Sequence, residues 1–331
     1  MNLLYKLTIT ALCFSLMGIL NSCIYEDEVV CPCEVRFVYD YNMEFADAFP
    51  SQVNDVTLFV FDSEGRFIFS RRDSGDHLDA DYRMPLELSP GHYRLIVWAG
   101  LDENNTGITL KNTLQSNVST INDLELNLNI NNYICDSHLS DVWYGKVEDF
   151  EVKADAPSYA TISLVKDVKR FKILLQDTEG KTLSKEDYSF TISTANKALD
   201  HNNLPSDNNN VAYLPYSLQE VTIENEADSR SNTDINALVA EMASLRLTDE
   251  RPARFTVRNK RTQKDLFDID LVKYLNMMKL DEYSDMTLHE FLDRESTYQI
   301  ILIIGENDSG QDVTLSIRIN AWTLVFNQTE L

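Results

Sequence analysis

Positive charge is scarce in this sequence. Lys and Arg number 29 against 53 Asp and Glu, a formal net charge of −24 over 331 residues. Phosphate backbones are held by Lys and Arg, so this balance argues against nucleic acid as a partner. It argues equally against peripheral binding to anionic lipid, and it suits a soluble, self-repelling exterior. Histidine is scarcer still. His77, His92, His138, His201 and His289 lie far apart, and no pair has H-E-x-x-H spacing. The chain also lacks a G-x-S-x-G elbow, a phosphate-binding loop and a dinucleotide fingerprint. No catalytic residue, cofactor or metal site is expected, and the chain reads as a non-enzyme. Asp76, Asp79 and Asp81 surround His77, but without the spacing of a calcium loop they read as a solvated acidic turn.

Long apolar runs are absent except for one at the start. Lys6 is the only charged side chain before Glu26, and Leu7 to Leu20 is apolar or small. A membrane-spanning helix needs ~20 apolar residues; a secretory h-region needs about 7–15. The run ends Leu20-Asn21-Ser22-Cys23, which resembles a bacterial lipobox. There the Cys thiol receives a diacylglyceryl group, the chain is cut before it, and the new amine is acylated. Cys23 is the expected lipidation site, and several acyl chains make a durable anchor. Glu26-Asp27-Glu28 follow at once, as a solvated spacer or as an acidic surface-export signal.

Cysteine is sparse, with five in all. Cys13 leaves with the leader and Cys23 carries lipid, so Cys31, Cys33 and Cys135 remain. Cys31-Pro32-Cys33 is too short a pattern to specify zinc. In an oxidising compartment, one disulfide from Cys31 or Cys33 to Cys135 is expected.

What the sequence has in abundance is strand signal. Val35, Phe37, Tyr39 and Tyr41 alternate. Val56 to Phe61 is apolar on both faces, Asp62-Ser63-Glu64-Gly65 reads as a turn, and Arg66 to Phe69 returns from it. Met84, Leu86 and Leu88 lead to the turn Ser89-Pro90-Gly91, and Tyr93 to Gly100 forms another buried strand. Leu124, Leu126, Leu128 and Ile130 keep a period of two. A second set of strands is expected at 160–165, 170–175, 188–192, 245–247, 253–257, 298–304, 313–319 and 321–326. Polar loops are expected at 201–210 and 224–234, and short helices at 270–278 and 287–293. This density of turns implies an all-β chain of two tandem antiparallel β-sandwich domains with few short helices. The expected divisions are a signal peptide at 1–22, a lipidated acidic arm at 23–33, and sandwiches at 34–155 and 156–331. Trp98 and Trp322 fall inside strand patterns and read as core; Trp143 reads as structural rather than ligand-facing.

Four segments carry a family resemblance: Cys33 to Met43 (CEVRFVYDYNM), Val53 to Gly65 (VNDVTLFVFDSEG), Pro90 to Leu101 (PGHYRLIVWAGL) and Asp141 to Gly145 (DVWYG). With the lipobox, they resemble the FimB-type fimbrial anchor lipoproteins of Bacteroidales. The resemblance is strongest over residues 23–150, and Ile317 to Trp322 fits the closing strand. It implies transthyretin-like sandwiches and a subunit at the fimbrium base, lipid-anchored in the outer membrane and facing the cell surface. That subunit tethers the shaft and limits its length, and its expected partners are shaft subunits, met through a β-strand. The alternatives are a surface adhesin or glycan-binding module, or a tip or stalk subunit, on the same fold.

Overall fold

The computed structural model describes residues 31–101, 104–105, 107–223, 235–277, 279, 283–306, 312–319 and 322–325. The apolar leader, Cys23, the acidic arm to residue 30 and the expected loop at 224–234 lie outside the described residues. No helix among those described is long and apolar enough to cross a membrane.

In chain order, the first half contributes β1 (Cys33–Val38), β2 (Asp55–Asp62), β3 (Phe67–Ser74), β4 (Met84–Pro85), β5 (Gly91–Ala99), β6 (Ile108–Leu110), β7 (Leu126–Leu128), β8 (Ile134–Cys135), β9 (Trp143–Val152), β10 (Ser158–Ser163) and β11 (Val165–Lys166). The second contributes β12 (Lys169–Asp177), β13 (Tyr188–Thr194), β14 (Ala198–Leu199), β15 (Val211–Tyr213), β16 (Ser217–Ile223), β17 (Ile235–Ser244), β18 (Ala253–Asn259), β19 (Lys264–Asp270), β20 (Thr297–Glu306), β21 (Asp312–Ile319) and β22 (Trp322–Val325). Short helices span Phe49–Gln52, Leu271–Met277 and Leu288–Arg294. The last is capped where expected: the Thr287 hydroxyl accepts from the Glu290 amide at 3.1 Å.

The first sandwich sets the sheet β10-β1-β4 against the sheet β11-β9-β5-β2-β3. Its larger sheet is buried on both faces, which explains why β2 and β5 lack polar alternation. Val56, Leu58 and Val60 join Leu95 and Val97 in one core with Val35 and Phe37. Phe59, Phe61, Ile96 and Trp98 face the other way. That second core continues without a break through Leu126 and Leu128 to Phe171, Phe190 and Tyr298 of the second sandwich. There the sheet β16-β17-β12-β20-β21-β22 faces β19-β18-β13-β15-β8. Each large apolar side chain so buried contributes about 1.5–3 kcal/mol.

Several pairings depart from a purely antiparallel plan. β1 runs parallel to β10, β12 to β20, and β15 to β8. β10 and β11, expected in the second set, pair with β1 and β9 of the first. β7 pairs with β14, and β8 with β15, so strands from the two halves interleave. Residues 245–247, expected as a strand, are irregular, and the preceding strand is β17.

Two glycines of the resemblance segments permit close approach of neighbouring backbone. Gly100 has φ +79°, and a Cβ there would lie 2.2 Å from the Asp141 carbonyl oxygen. A Cβ on Gly145 would lie 2.6 Å from Ile162 Cγ2 and 2.9 Å from the Ser163 carbonyl oxygen. β9 can approach the β10–β11 segment this closely only where it has no side chain.

Candidate functional site: the seat of the first strand

β1 is not an edge. It lies at the centre of its sheet, matched in register from Cys33 opposite Ser158 to Val38 opposite Ser163. Its ends are tied by backbone bonds: Ser158 N–H to Pro32 C=O at 2.8 Å, Leu86 N–H to Cys33 C=O at 2.7 Å, and Leu164 N–H to Val38 C=O at 2.8 Å. The alternation of Val35, Phe37 and Tyr39 drives all three inward, each at most 2% exposed. Phe37 stacks on Phe49 at 6.0 Å and on Tyr82 at 6.3 Å, and Tyr39 meets Trp143 edge-on at 6.1 Å. Burial pushes the Tyr39 phenol up to about 12, so it stays neutral and packs as an aromatic.

The chain leaving β1 is fastened at once. Asp47 Oδ1 accepts from the amides of Tyr39 (2.9 Å) and Phe49 (3.0 Å). Asn42 donates to the carbonyls of Tyr39 (2.6 Å) and Ala46 (2.8 Å), and Ser163 donates to Asp40 at 2.7 Å. The second half of the molecule also grips this turn. The Arg294 guanidinium lies 4.0 Å from the Tyr41 ring centre and 4.7 Å from that of Phe45. Its Nη1 donates to the Asn42 carbonyl at 3.3 Å, while Nε is held by Glu290 at 2.7 Å. Phe45 takes φ +51° to reach this stack, a conformation that costs a bulky residue on the order of 1–3 kcal/mol.

Beneath the turn lies a charged junction. Asp167 and Lys169 sit on the short connection between the sandwiches and are fully buried; Arg246 and Asp293 are nearly so. Arg246 binds Asp293 through Nε at 2.9 Å and Nη2 at 2.7 and 2.8 Å. Its Nη1 donates to the Asn203 carbonyl, and the Asn203 amide donates to Asp167 Oδ1 at 2.8 Å. Lys169 donates to the carbonyls of Asp293 (3.2 Å) and Glu295 (2.9 Å) at the C-terminal end of the helix Leu288–Arg294, where a cation is favoured. His289 lies 3.4 Å from Asp293 Oδ2 and 3.1 Å from Asp249. The four buried charges sum to zero. Asp167 Oδ2 has no partner among the described residues. Burial pushes the Asp167 carboxyl up, against the pull of Arg246, and pushes the Lys169 ammonium down.

These features place the chain among proteins already known. The model of the fimbrillin-A-associated anchor proteins Mfa1 and Mfa2 matches residues 27–328. The chain belongs to this anchor family. A structure from Bacteroides thetaiotaomicron, described as a candidate polysaccharide-binding protein, is 31% identical and covers 91% of this chain and 100% of its own, with TM-score 0.76. A candidate adhesin from the same organism is 29% identical over 90% and 99%, with TM-score 0.78. The fimbrial anchor protein Mfa2 of Porphyromonas gingivalis is 17% identical over 89% and 99%, with TM-score 0.67, and shares the fold. Among curated proteins no significant match is found. The family is one of fimbrial anchor proteins and not a known enzyme family, which associates the chain with fimbrial components.

Within this anchor family fold, the sequence-derived site residues fall in separate places. Cys23 lies outside the described residues. The expected bridge is not formed: Cys31, Cys33 and Cys135 are all free thiols. Cys33 lies in the core under β1 and Cys135 in the core shared with the second sandwich, so the larger sheet separates them. Trp98 and Trp143 are buried, at 0% and 3% exposure, and Lys166 lies over the Trp143 ring at 5.3 Å. The side chain of Trp322 lies outside the description. His77 pairs with Asp73 at 2.9 Å. Sequence reasoning missed Lys169, Arg246, Asp293 and Arg294. The one available signal was charge inside apolar context, as in Leu245-Arg246-Leu247.

Proposed function

We propose that this protein is a lipid-anchored fimbrial anchor subunit. Acylated Cys23 holds it in the outer membrane, and a shaft subunit attaches to the folded body. The observation that supports the reading is how firmly the first strand is seated. A polymerising subunit must lose its lipidated N-terminal strand to open a groove for a neighbour's strand. Here β1 is central, tied at both ends and followed by a turn pinned from both sandwiches. Residues 39–54 contain no Lys or Arg, so no basic cleavage site separates β1 from β2. The basic pair Arg71–Arg72 lies within β3, and a cut there removes β1 and β2 together. A filled groove accepts no incoming strand, so growth stops at this subunit and shaft length is limited.

The glycan-binding alternative needs an open aromatic platform, at Trp143 or at exposed loop Tyr residues; the Trp143 ring is buried between Tyr39 and Lys166. The test is the intact mass and N-terminal sequence of protein extracted from its native membrane. The expected species begins at acylated Cys23 and runs full length, and Cys23→Ala frees it from the membrane. A dominant species beginning after Val38 overturns the anchor reading and makes this a stalk subunit.

A further inference from the structure

We propose that the free edge of β10 is the docking site for an extended strand of the shaft subunit. This rests on the anchor reading above. β10 is hydrogen-bonded on one side only, to β1. The amides of Ser158 and Leu164 point to β1, so those of Tyr159 and Thr161 point the other way. Both side chains are exposed, Tyr159 at 63%. Beside this edge lies a second one. β9 pairs with β5 along its length but with β11 only at Trp143 and Tyr144, leaving its later residues open. A groove of about 350 Å³ runs between the two edges, with Val147, Asp149 and Glu151 on one wall and Pro157, Tyr159 and Thr161 on the other. It closes where the chain crosses against Gly145.

Exposed edges invite uncontrolled pairing, and folded proteins blunt them with charge. Among the described edge strands of five residues or more, β10 alone carries no charged side chain. β3 carries Arg71, Arg72 and Asp73; β16 carries Glu220; β19 carries Lys264, Asp265, Asp268 and Asp270. Unpaired backbone N–H and C=O groups call for an extended chain. Asp149, which also meets His92 at 2.7 Å, and Glu151 outnumber Lys153 along this groove and favour a strand that carries a basic side chain. A net charge of −24 opposes a second copy of this chain.

The test uses the full-length protein in its own cells. A photo-crosslinking residue is placed at 159 or 161, and at 264 or 268 on β19 for comparison. Adducts with a shaft subunit, identified by mass, are expected from the first pair and not from the second. Thr161→Pro removes an outward amide that β1 does not use, and Thr161→Lys charges the edge. Each is expected to weaken shaft retention about tenfold at unchanged thermal stability. Equal adducts from β19, adducts with a second copy, or wild-type retention in both variants overturns the β10 site while leaving the anchor reading intact. A wild-type protein that brings down no shaft overturns the anchor reading, and the docking site with it.

Discussion

Phe37 and Arg246 are both buried, at 2% and 4% exposure, and each fixes chain close to the first strand. Phe37 does so by contact alone, stacked between Phe49 and Tyr82. Arg246 does so with every polar group directed: three bonds to Asp293 and one to Asn203. The apolar seat gains from removal of area from water and tolerates small shifts of its neighbours. The ionic junction gains little net energy, because desolvation offsets the Coulomb attraction. It gives a single geometry instead. One region therefore supplies stability, and the other fixes how the helix Leu288–Arg294 meets the connection at Asp167.

The sharpest way to break this comparison is to remove one member from each region. Phe37→Ala and Arg246→Met are each expected to cost about 3–5 kcal/mol in urea unfolding, the first through a cavity and the second by stranding the Asp293 charge. The partner change separates them. Arg246→Met combined with Asp293→Leu is expected to recover most of the loss, since an apolar replacement of a buried pair is often neutral. No second apolar truncation rescues Phe37→Ala. If the double variant is as unstable as Arg246→Met alone, the junction holds by energy and the division drawn above fails.

Packing along the seat gives the next test. Gly145→Ala places a Cβ 2.6 Å from Ile162 Cγ2 and 2.9 Å from the Ser163 carbonyl oxygen. The carbonyl belongs to the backbone and cannot turn aside, so a cost of about 1–3 kcal/mol is expected. A neutral result in thermal unfolding means that β10 slides on β9, and the seat is looser than its contacts imply.

The junction has a pH signature that the seat lacks. Burial raises the folded-state pKa of Asp167 above its ordinary 3.8. A raised pKa favours the fold fully below 3.8, and that contribution is lost as pH rises through the folded value. Asp167→Asn keeps the shape and stays neutral. Its stability relative to wild type is expected to climb between pH 4 and neutrality, by on the order of 1–3 kcal/mol. Arg246, Lys169 and Asp293 face the same site. A flat difference across that range means Asp167 is ionised throughout.

The seat was legible in the sequence and the junction was not, for a physical reason. Val35, Phe37 and Tyr39 announce an inward face by period alone, and β2 and β5 announce a doubly buried sheet by lacking a polar face. Arg246 between Leu245 and Leu247 looks like ordinary alternation with the Arg outward. It is buried because Asp293, 47 positions on, meets it. β17, with the run Asn236-Ala237-Leu238-Val239-Ala240-Glu241-Met242-Ala243, has no clean period and went unread. The partner of β1 was hidden as well, since a parallel pairing with β10 leaves no hairpin signal between them.

The smallest effect sharpens the comparison most, because Arg294 belongs to both regions. Its charge is held by Glu290 at 2.7 Å, and its planar face fills the space between Tyr41 and Phe45. Arg294→Lys keeps the charge and loses the flat face; Arg294→Ala loses both. A stack of this kind contributes about 1 kcal/mol, so both variants are expected to fold with small losses, the alanine the larger. What should change is the turn at 40–48. Phe45 holds φ +51° only while the stack rewards it, so amide hydrogen exchange through this turn is expected to quicken in both variants. β1 itself should stay protected, since its bonds to β10 and β4 do not involve Arg294. If protection of β1 falls with that of the turn, the grip from the second sandwich holds the first strand, and its apolar seat alone does not.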